Sequence, residues 1–260
     1  MEDTKMKKLI ALAIVLMMVL SAGALAETFK MGIDAAYPPF SYLGEDGAYT
    51  GFDVEMCTLV CADLGLDLEI VPINWDSKLL SLGAGEIDCI WSGLTIDVLD
   101  GEKYCLSMAY VDSSQVIMTR KDAGIATLAD LAGKNVAVQL GTSADLMLSG
   151  DQADLAATFG NLARYEDYNV CFTELMAGSV DAVAIDSSVA LNKIQVYGDE
   201  YMILDEKLQA EQYGICFRGA DTELCEKVEA SFMKLVEDGT YLELAEKYEL
   251  DTSTLCLLNQ

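Results

Sequence analysis

The pattern of apolar and polar positions divides the chain into two kinds of segment, short apolar runs and longer segments with helical spacing. Four short apolar runs have the length and content of buried strands: FKMGID at 29–34, IDCIW at 87–91, NVAVQL at 135–140 and DAVAID at 181–186. A longer segment, FDVEMCTLVCADLGL at 52–66, has apolar positions at the spacing of a helix face. Strands that alternate with helices predict an α/β protein whose mostly parallel sheets are flanked by helices.

Two segments of the chain resemble each other. LGAGEIDCI at 82–90 and LMAGSVDAVAI at 175–185 share the pattern Leu-x-x-Gly-x-(Ile/Val)-Asp, followed by an apolar run. Each pattern predicts the end of a helix, a Gly that terminates it, and a buried strand. The repeat therefore predicts two lobes of similar build.

Small polar residues follow four of the predicted strands, at 34–37, 92–95, 139–142 and 186–188. Ligands of parallel sheets bind beyond the carboxyl ends of the strands. Each lobe contributes two such ends, so we expect all four to face one cleft.

The C-terminal part adds a strand, YGICFR at 213–218, and two helices, which we assign to the first lobe. The chain then crosses between the lobes twice, and two crossovers form a hinge. The predicted boundaries are 27–112 plus 214–260 for the first lobe, 116–209 for the second lobe, and 112–116 and 209–213 for the hinge.

The N-terminus has the pattern of a secretory signal. Lys5, Lys7 and Lys8 precede an apolar run at 9–20, and Ala-Leu-Ala at 24–26 has the small-x-small form of a cleavage site. The run falls short of the ~20 residues of a spanning helix. We predict a signal peptide at 1–26 and an exported chain, periplasmic or at the cell surface; an uncleaved anchor is the alternative.

Charge and cysteine content exclude several classes of function. The net charge of −27 repels nucleic acid and anionic lipid, so we expect no nucleic-acid partner. The chain has eight Cys without a CxxC pair, and no His. Zinc sites, His-dependent triads and thioredoxin-like chemistry are therefore poorly supported, and we expect no metal and no cofactor. Most Cys are expected to be small core side chains, although export would permit some disulfides.

Five segments in order carry a resemblance to a known family: IDAAYPPFSYLGEDGAYTGFDVEM, INWDSKLLSLGAGEIDCIWSGLTI, TLADLAGKNVAVQLGTSA, GSVDAVAID and EQYGICFR. They resemble the family 3 extracellular solute-binding proteins, the polar amino acid receptors of ABC importers. The resemblance implies a two-lobed clamp of the type II periplasmic-binding-protein fold. Such a clamp closes over an amino acid, presents it to a membrane permease, and performs no catalysis; we expect a monomer.

The resemblance also implies a set of ligand contacts in the first lobe. Ser92, Gly93 and Thr95 would exchange hydrogen bonds with the ligand. Tyr37 would line the pocket, and Asp34 would lie at the edge of the cleft.

Three further contacts follow from the same resemblance. Trp75 would stack against the ligand side chain, Thr142 would contact the ligand carboxylate, and Asp186 would pair with its α-ammonium. Ordinary structural roles remain open beside these. Tyr37 and Trp75 could be core aromatics, Thr142 is also placed to cap a helix, and Asp186 could cap the next one.

One position departs from the family pattern. The family has an Arg after the Ser-Gly loop that clamps the ligand carboxylate, and an ungapped count from Gly93 to Tyr110 places Asp100 there. At about 4 Å and an effective dielectric near 20, a carboxylate facing Asp100 would be repelled by roughly 4 kcal/mol.

Three alternatives remain for this position. In the first, the loop is rebuilt so that Asp100 faces water, and Thr142, its helix end and Thr95 hold the carboxylate. In the second, the ligand carries a second cation that meets Asp100, as lysine, ornithine or an amine would. In the third, the ligand is not an α-amino acid.

Other functions stay as alternatives. A cyclohexadienyl-dehydratase-like enzyme on the same clamp needs a general acid in the cleft, and Glu is scarce at the four strand ends. A sensor module would share the binding chemistry and differ only in its membrane partner.

Overall fold

The computed structural model describes residues 26–258. The predicted signal peptide, except for Ala26, lies outside the described residues. Within residues 26–258, no helix is both long enough and apolar enough to span a bilayer.

The described chain alternates strands and helices along its length. Its strands are β1 (Thr28–Ile33), β2 (Ala36–Tyr37), β3 (Ser41–Leu43), β4 (Tyr49–Thr50), β5 (Asp67–Pro72), β6 (Cys89–Thr95), β7 (Tyr104–Leu106), β8 (Val111–Arg120), β9 (Asn135–Gln139), β10 (Asn161–Tyr165), β11 (Ala182–Asp186), β12 (Tyr201–Ile203) and β13 (Gln209–Arg218). Its α-helices are α1 (Phe52–Leu64), α2 (Lys78–Ala84), α3 (Ser143–Ser149), α4 (Ala153–Ala156), α5 (Tyr168–Ala177), α6 (Ser187–Tyr197), α7 (Thr222–Glu237) and α8 (Thr240–Lys247). Short 3-10 turns lie at Trp75–Ser77, Lys121–Ala123, Leu128–Leu131 and Thr252–Thr254.

One large sheet passes through both lobes in the order β10-β9-β11-β8-β13-β6-β1-β5, with β12 on β8 and β7 on β13. β1 pairs in parallel with β5 and β6 in the first lobe. β9 pairs in parallel with β10 and β11 in the second lobe. The predicted α/β class with a mostly parallel sheet in each lobe is thereby confirmed. A small sheet, β2-β3-β4, adjoins the first lobe.

The two connections between the lobes are long antiparallel strands. β8 and β13 pair with each other from Val111↔Tyr213 to Gln115↔Gln209. Beyond this stretch β8 pairs with β11 and β12 in the second lobe, and β13 pairs with β6 and β7 in the first. The pairing supports the predicted hinge at 112–116 and 209–213, whose boundaries remain a prediction.

The core of the first lobe is rich in aromatic side chains. Trp91 packs on Phe232 of α7 with ring centroids 5.8 Å apart, and Phe52 packs on Tyr241 of α8 at the same distance. Burying such rings is among the largest apolar contributions a core can have. Because α7 and α8 supply two of the four rings, the contacts support the assignment of the C-terminal tail to the first lobe.

The cysteines mostly belong to these cores. All eight are free thiols, and six are buried; Cys105 and Cys256 are partly exposed. Cys57 and Cys61 lie on one face of α1 with their Sγ atoms 4.0 Å apart. This placement agrees with the expectation that most Cys are small core side chains.

Candidate functional site

The four predicted strand ends meet around one cavity between the lobes. Its lining residues are Tyr37, Trp75, Lys78, Leu79, Gly93, Leu94, Thr95, Val98, Leu99, Gly141, Thr142, Ser143, Leu146 and Asp186. Six of the residues that the sequence predicted to contact a ligand are therefore on the cavity wall. Asp34 and Ser92 are not, and Asp100 is not.

Gly93, in β6, lies in close contact with the ring of Tyr37. It has a φ of +54°, and a Cβ at this position would lie 2.4 Å from Tyr37 Cε1. The Gly93 N–H donates to Asp53 Oδ2 at 2.6 Å, and the Tyr110 hydroxyl donates to the same oxygen at 2.8 Å. Burial raises the pKa of Asp53 to about 7, against the opposing effect of these hydrogen bonds. Asp53, which the sequence did not single out, holds this strand end in place from behind.

Asp34 and Ser92 are absent from the lining of this cavity and bond to other protein groups. Asp34 lines a second pocket that shares Trp75 with this one. Ser92 Oγ accepts from the Asp34 N–H at 3.0 Å and lies 2.6 Å from Ser41 Oγ. Gln139 Nε2 of the second lobe donates to Asp34 Oδ2 at 2.6 Å. Burial raises the pKa of Asp34 above its ordinary value. In the structure these two residues join strand ends to each other.

Asp186 ends β11 and is 3% exposed. Its Oδ1 accepts from Gln115 Nε2 at 2.7 Å and from the Tyr213 hydroxyl at 2.8 Å. Its Oδ2 accepts from the Tyr168 hydroxyl at 2.9 Å. Although Asp186 occupies the N-cap position of α6, its side chain makes no capping hydrogen bond there. Its described partners are neutral donors, which leaves the carboxylate on the cavity wall without a cation beside it.

Glu211, in β13, lies behind the cavity wall and is 3% exposed. Its Oε2 accepts from Thr95 Oγ1 at 2.8 Å and from Ser143 Oγ at 2.7 Å, which are side chains from opposite lobes. Gln115 Nε2 donates to Glu211 Oε1 at 2.9 Å as well as to Asp186. Burial and the neighbouring Asp186 hold the pKa of Glu211 well above its usual range. The sequence pattern contained Glu211 in EQYGICFR, but no role was assigned to it.

Lys78 lies on the cavity wall at the start of α2, and the sequence analysis did not single it out. Its Nζ donates to the Gly141 carbonyl of the second lobe at 2.6 Å and to the Trp75 carbonyl at 3.1 Å. The same Nζ lies 4.7 Å from the centre of the Trp75 ring. Burial lowers the pKa of Lys78 to about 8. The family pattern places its cation in the loop after β6, and no sequence motif points to Lys78.

Thr142 has the N-cap position that the sequence predicted as its structural role. Its Oγ1 accepts from the Asp145 N–H at 3.3 Å and donates to the Gln139 carbonyl at 2.8 Å. The hydroxyl is thus engaged in the protein, and its predicted contact with a ligand carboxylate remains a prediction.

Asp100 is exposed, and its side chain caps a turn in the loop after β6. Its Oδ1 accepts from the Glu102 N–H at 2.9 Å, and its carbonyl accepts from the Lys103 N–H at 3.0 Å. Val98 and Leu99 line the cavity instead. Of the first alternative, the geometry supports a loop with Asp100 toward water. The carboxylate contacts of Thr142 and Thr95 stay a prediction, because both hydroxyls donate to protein acceptors.

The fold and the cavity define a two-lobed binding protein whose ligand site lies between the lobes. Residues 29–251 match the family model of bacterial extracellular solute-binding proteins, family 3, and the chain belongs to this family. The L-cystine-binding protein TcyJ of Escherichia coli K12 is 30% identical over 223 residues, which are 85% of this chain and 82% of that protein.

Solved structures agree with this assignment. A substrate-binding protein of an ABC uptake transporter from Streptococcus pneumoniae, with bound histidine, is 29% identical with a TM-score of 0.80, over 85% of this chain and 92% of that one. The ancestral amino acid-binding protein AncCDT-1, a precursor of cyclohexadienyl dehydratase, is 31% identical with a TM-score of 0.77, over 85% of this chain and 95% of that one.

Proposed function

We propose that the protein is the extracytoplasmic substrate-binding subunit of an ABC importer. It is exported with residues 1–26 as a signal peptide and works as a monomer. It binds an amino acid in the cavity between a first lobe of 27–112 plus 214–260 and a second lobe of 116–209, and delivers it to a membrane permease. The family membership and the amino acid ligands named for its relatives support this function.

The carboxylate of Asp186 is the observation that carries the proposal. It lies on the cavity wall, 3% exposed, with hydrogen bonds from neutral groups and no ion pair to a Lys or Arg of the described chain. A buried carboxylate is stabilised strongly when a cation reaches it. The α-ammonium of an amino acid is a cation of the right size, and the rings of Tyr37 and Trp75 line the same cavity beside it.

Calorimetry against the twenty amino acids, polyamines and small carboxylates tests the proposal, together with native mass spectrometry of the protein as purified. We expect at least one amino acid to bind with micromolar or tighter affinity, about −8 kcal/mol or beyond. If no amino acid gave binding heat and no ligand co-purified, that result would count against a solute-binding function.

The substitution Asp186→Asn tests the ammonium contact. Removing one partner of a buried charge pair costs roughly 2 to 5 kcal/mol, so the affinity should fall by at least about 30-fold. Asp100→Asn is the matched control, because Asp100 is exposed and absent from the cavity wall. An unchanged affinity in Asp186→Asn, or a large loss in Asp100→Asn, would contradict the assignment of these two acids.

An enzyme is the second candidate, and one observation favours it. Burial and the adjacent Asp186 raise the pKa of Glu211, which favours the protonated form that a general acid needs. It lies behind Thr95 and Ser143, however, and is absent from the cavity wall. Incubation with arogenate or prephenate decides the matter: formation of phenylalanine or phenylpyruvate would establish catalysis.

A further inference from the structure

We propose that Lys78 pairs with the carboxylate of the bound ligand and so supplies the positive charge that the loop after β6 lacks. The proposal rests on the proposed function, since it concerns the amino acid bound in the same cavity. Lys78 is outside the family pattern of ligand contacts. It is the first residue of a helix and does not lie at a strand end.

Burial of Lys78 is the first observation. The side chain is 8% exposed, and Lys78 is the only Lys or Arg among the described residues that line the cavity. It is also the first residue of α2, where the positive end of the helix dipole disfavours a cation. Both effects oppose a charged ammonium at this place, so a negative charge that reached Lys78 would stabilise it.

The hydrogen bonds of Lys78 are the second observation. An ammonium has three N–H donors, and two of them go to the neutral carbonyls of Trp75 and Gly141. In the described chain no carboxylate lies within ion-pair distance of Nζ; Asp76 and Asp34 act on it only from farther away. A buried ammonium without a counter-ion is costly, and an anionic ligand group that reaches the third N–H removes that cost.

The charges on the cavity wall then select a class of ligand. Lys78 is its cation and Asp186 is its anion among the described lining residues. A zwitterion satisfies both, whereas an amine without a carboxylate leaves Lys78 unpaired. The aliphatic side chains of the wall are Leu79, Leu94, Val98, Leu99 and Leu146. Since no further charge remains on the wall for a charged ligand side chain, the structure assigns an amino acid whose side chain is uncharged.

Calorimetry on the wild type with the best-binding amino acid and its α-carboxamide is the first test. The amide keeps the ammonium and the side chain but has no negative charge. We expect the amide to bind at least about 30-fold more weakly, as for the loss of one partner of a buried pair. A wild type that binds acid and amide equally would overturn the proposal without the need for any variant.

Variants assign that preference to Lys78. Lys78→Met should bind the acid at least about 30-fold more weakly and lose the preference for acid over amide, whereas Lys78→Arg should retain the preference. Lys103→Met is the matched control, because Lys103 is exposed in the loop where the family has its Arg. Thermal melts verify that each variant is folded. If Lys78→Met does not fold, the preference for acid over amide in the wild type and in Lys78→Arg tests whether Lys78 pairs with the carboxylate.

The outcomes separate the two proposals. A wild type that binds none of the twenty amino acids refutes the proposed function. A wild type that binds one of them, with a Lys78→Met variant that still prefers acid over amide, refutes only the role of Lys78. Tighter binding of a polyamine or of a basic amino acid than of any neutral one refutes the assignment of the ligand class.

Discussion

Asp53 offers a test of how the strand end at the cavity is held, through the pH dependence of stability. Its carboxyl group is fully buried in the first turn of α1 and accepts hydrogen bonds from the Gly93 N–H and the Tyr110 hydroxyl. Burial raises its pKa from 3.8 to about 7. The folded protein therefore binds a proton on Asp53 between these pH values, whereas the unfolded chain releases it.

The size of the effect follows from the shift. Because the pKa is raised in the folded state, the stabilising contribution of the protonated group is fully present below about pH 3.8 and is lost as the pH rises through about 7. Each pKa unit corresponds to about 1.4 kcal/mol, so the shift amounts to about 4 kcal/mol. Asn cannot ionise, and the wild type should lose about that much free energy of unfolding relative to Asp53→Asn between pH 4 and pH 8.

Urea unfolding of both proteins at each pH unit from 4 to 8 measures the difference. Any change in hydrogen bonding caused by Asn adds a constant to the difference in unfolding free energy between the two proteins at every pH. The quantity to compare is therefore how that difference changes with pH. Asp154→Asn, at an exposed position of α4, controls for the loss of one negative charge. A difference that is flat with pH, or one in which the wild type gains stability as the pH rises, would refute the protonated, buried Asp53.

Two further outcomes are expected. Gly93→Ala should abolish ligand binding in calorimetry and lower the melting temperature, because the new Cβ would lie 2.4 Å from Tyr37 Cε1. Gly85→Ala is the control, since Gly85 also has a positive φ but no atom within 4 Å of a Cβ placed there. It should show only the smaller cost of placing Ala in that backbone conformation. If Lys78, with its pKa lowered to about 8, pairs with a carboxylate, wild-type affinity should decrease by up to tenfold per pH unit above 8, because binding favours the protonated form. Lys78→Arg should show a smaller decrease, since Arg does not titrate in this range and only the deprotonation of the ligand ammonium, which is common to both proteins, remains.

The apolar runs were enough to predict which strand ends meet at the cavity, because the carboxyl edge of a parallel sheet brings its strand ends together whatever their side chains are. Gly93 and Asp186 lie near the ends of strands that their apolar runs predicted, and both line the cavity. Ser92 shows the limit of that rule. Neighbouring residues of a strand point to opposite faces, and the Ser92 hydroxyl bonds to Asp34 and Ser41 while Gly93 adjoins the cavity.

Lys78 and Glu211 could not be predicted in the same way. Lys78 reaches the cavity because its Nζ extends from α2 to the Gly141 carbonyl of the other lobe. Glu211 belongs to β13, whose register against β8 places it opposite Ser113 and diagonal to Gln115, which donates to it. Both positions depend on how the two lobes are packed together, and no period or motif within a single segment contains that information.

The same contacts explain why closure should depend on a ligand. With the lobes together, Lys78 bonds to Gly141 across the cleft, and Thr95 and Ser143 from opposite lobes meet on Glu211. Closing the cleft therefore removes water from a cation and a carboxylate that have no counter-ion among residues 26–258, which is unfavourable in a low-dielectric site. A zwitterion supplies both counter-ions at once, whereas separation of the lobes returns both groups to water. The ligand therefore binds the closed cleft, where it meets both Lys78 and Asp186, more strongly than the open one. A ligand can shift a protein between two conformations only through such a difference in binding free energy.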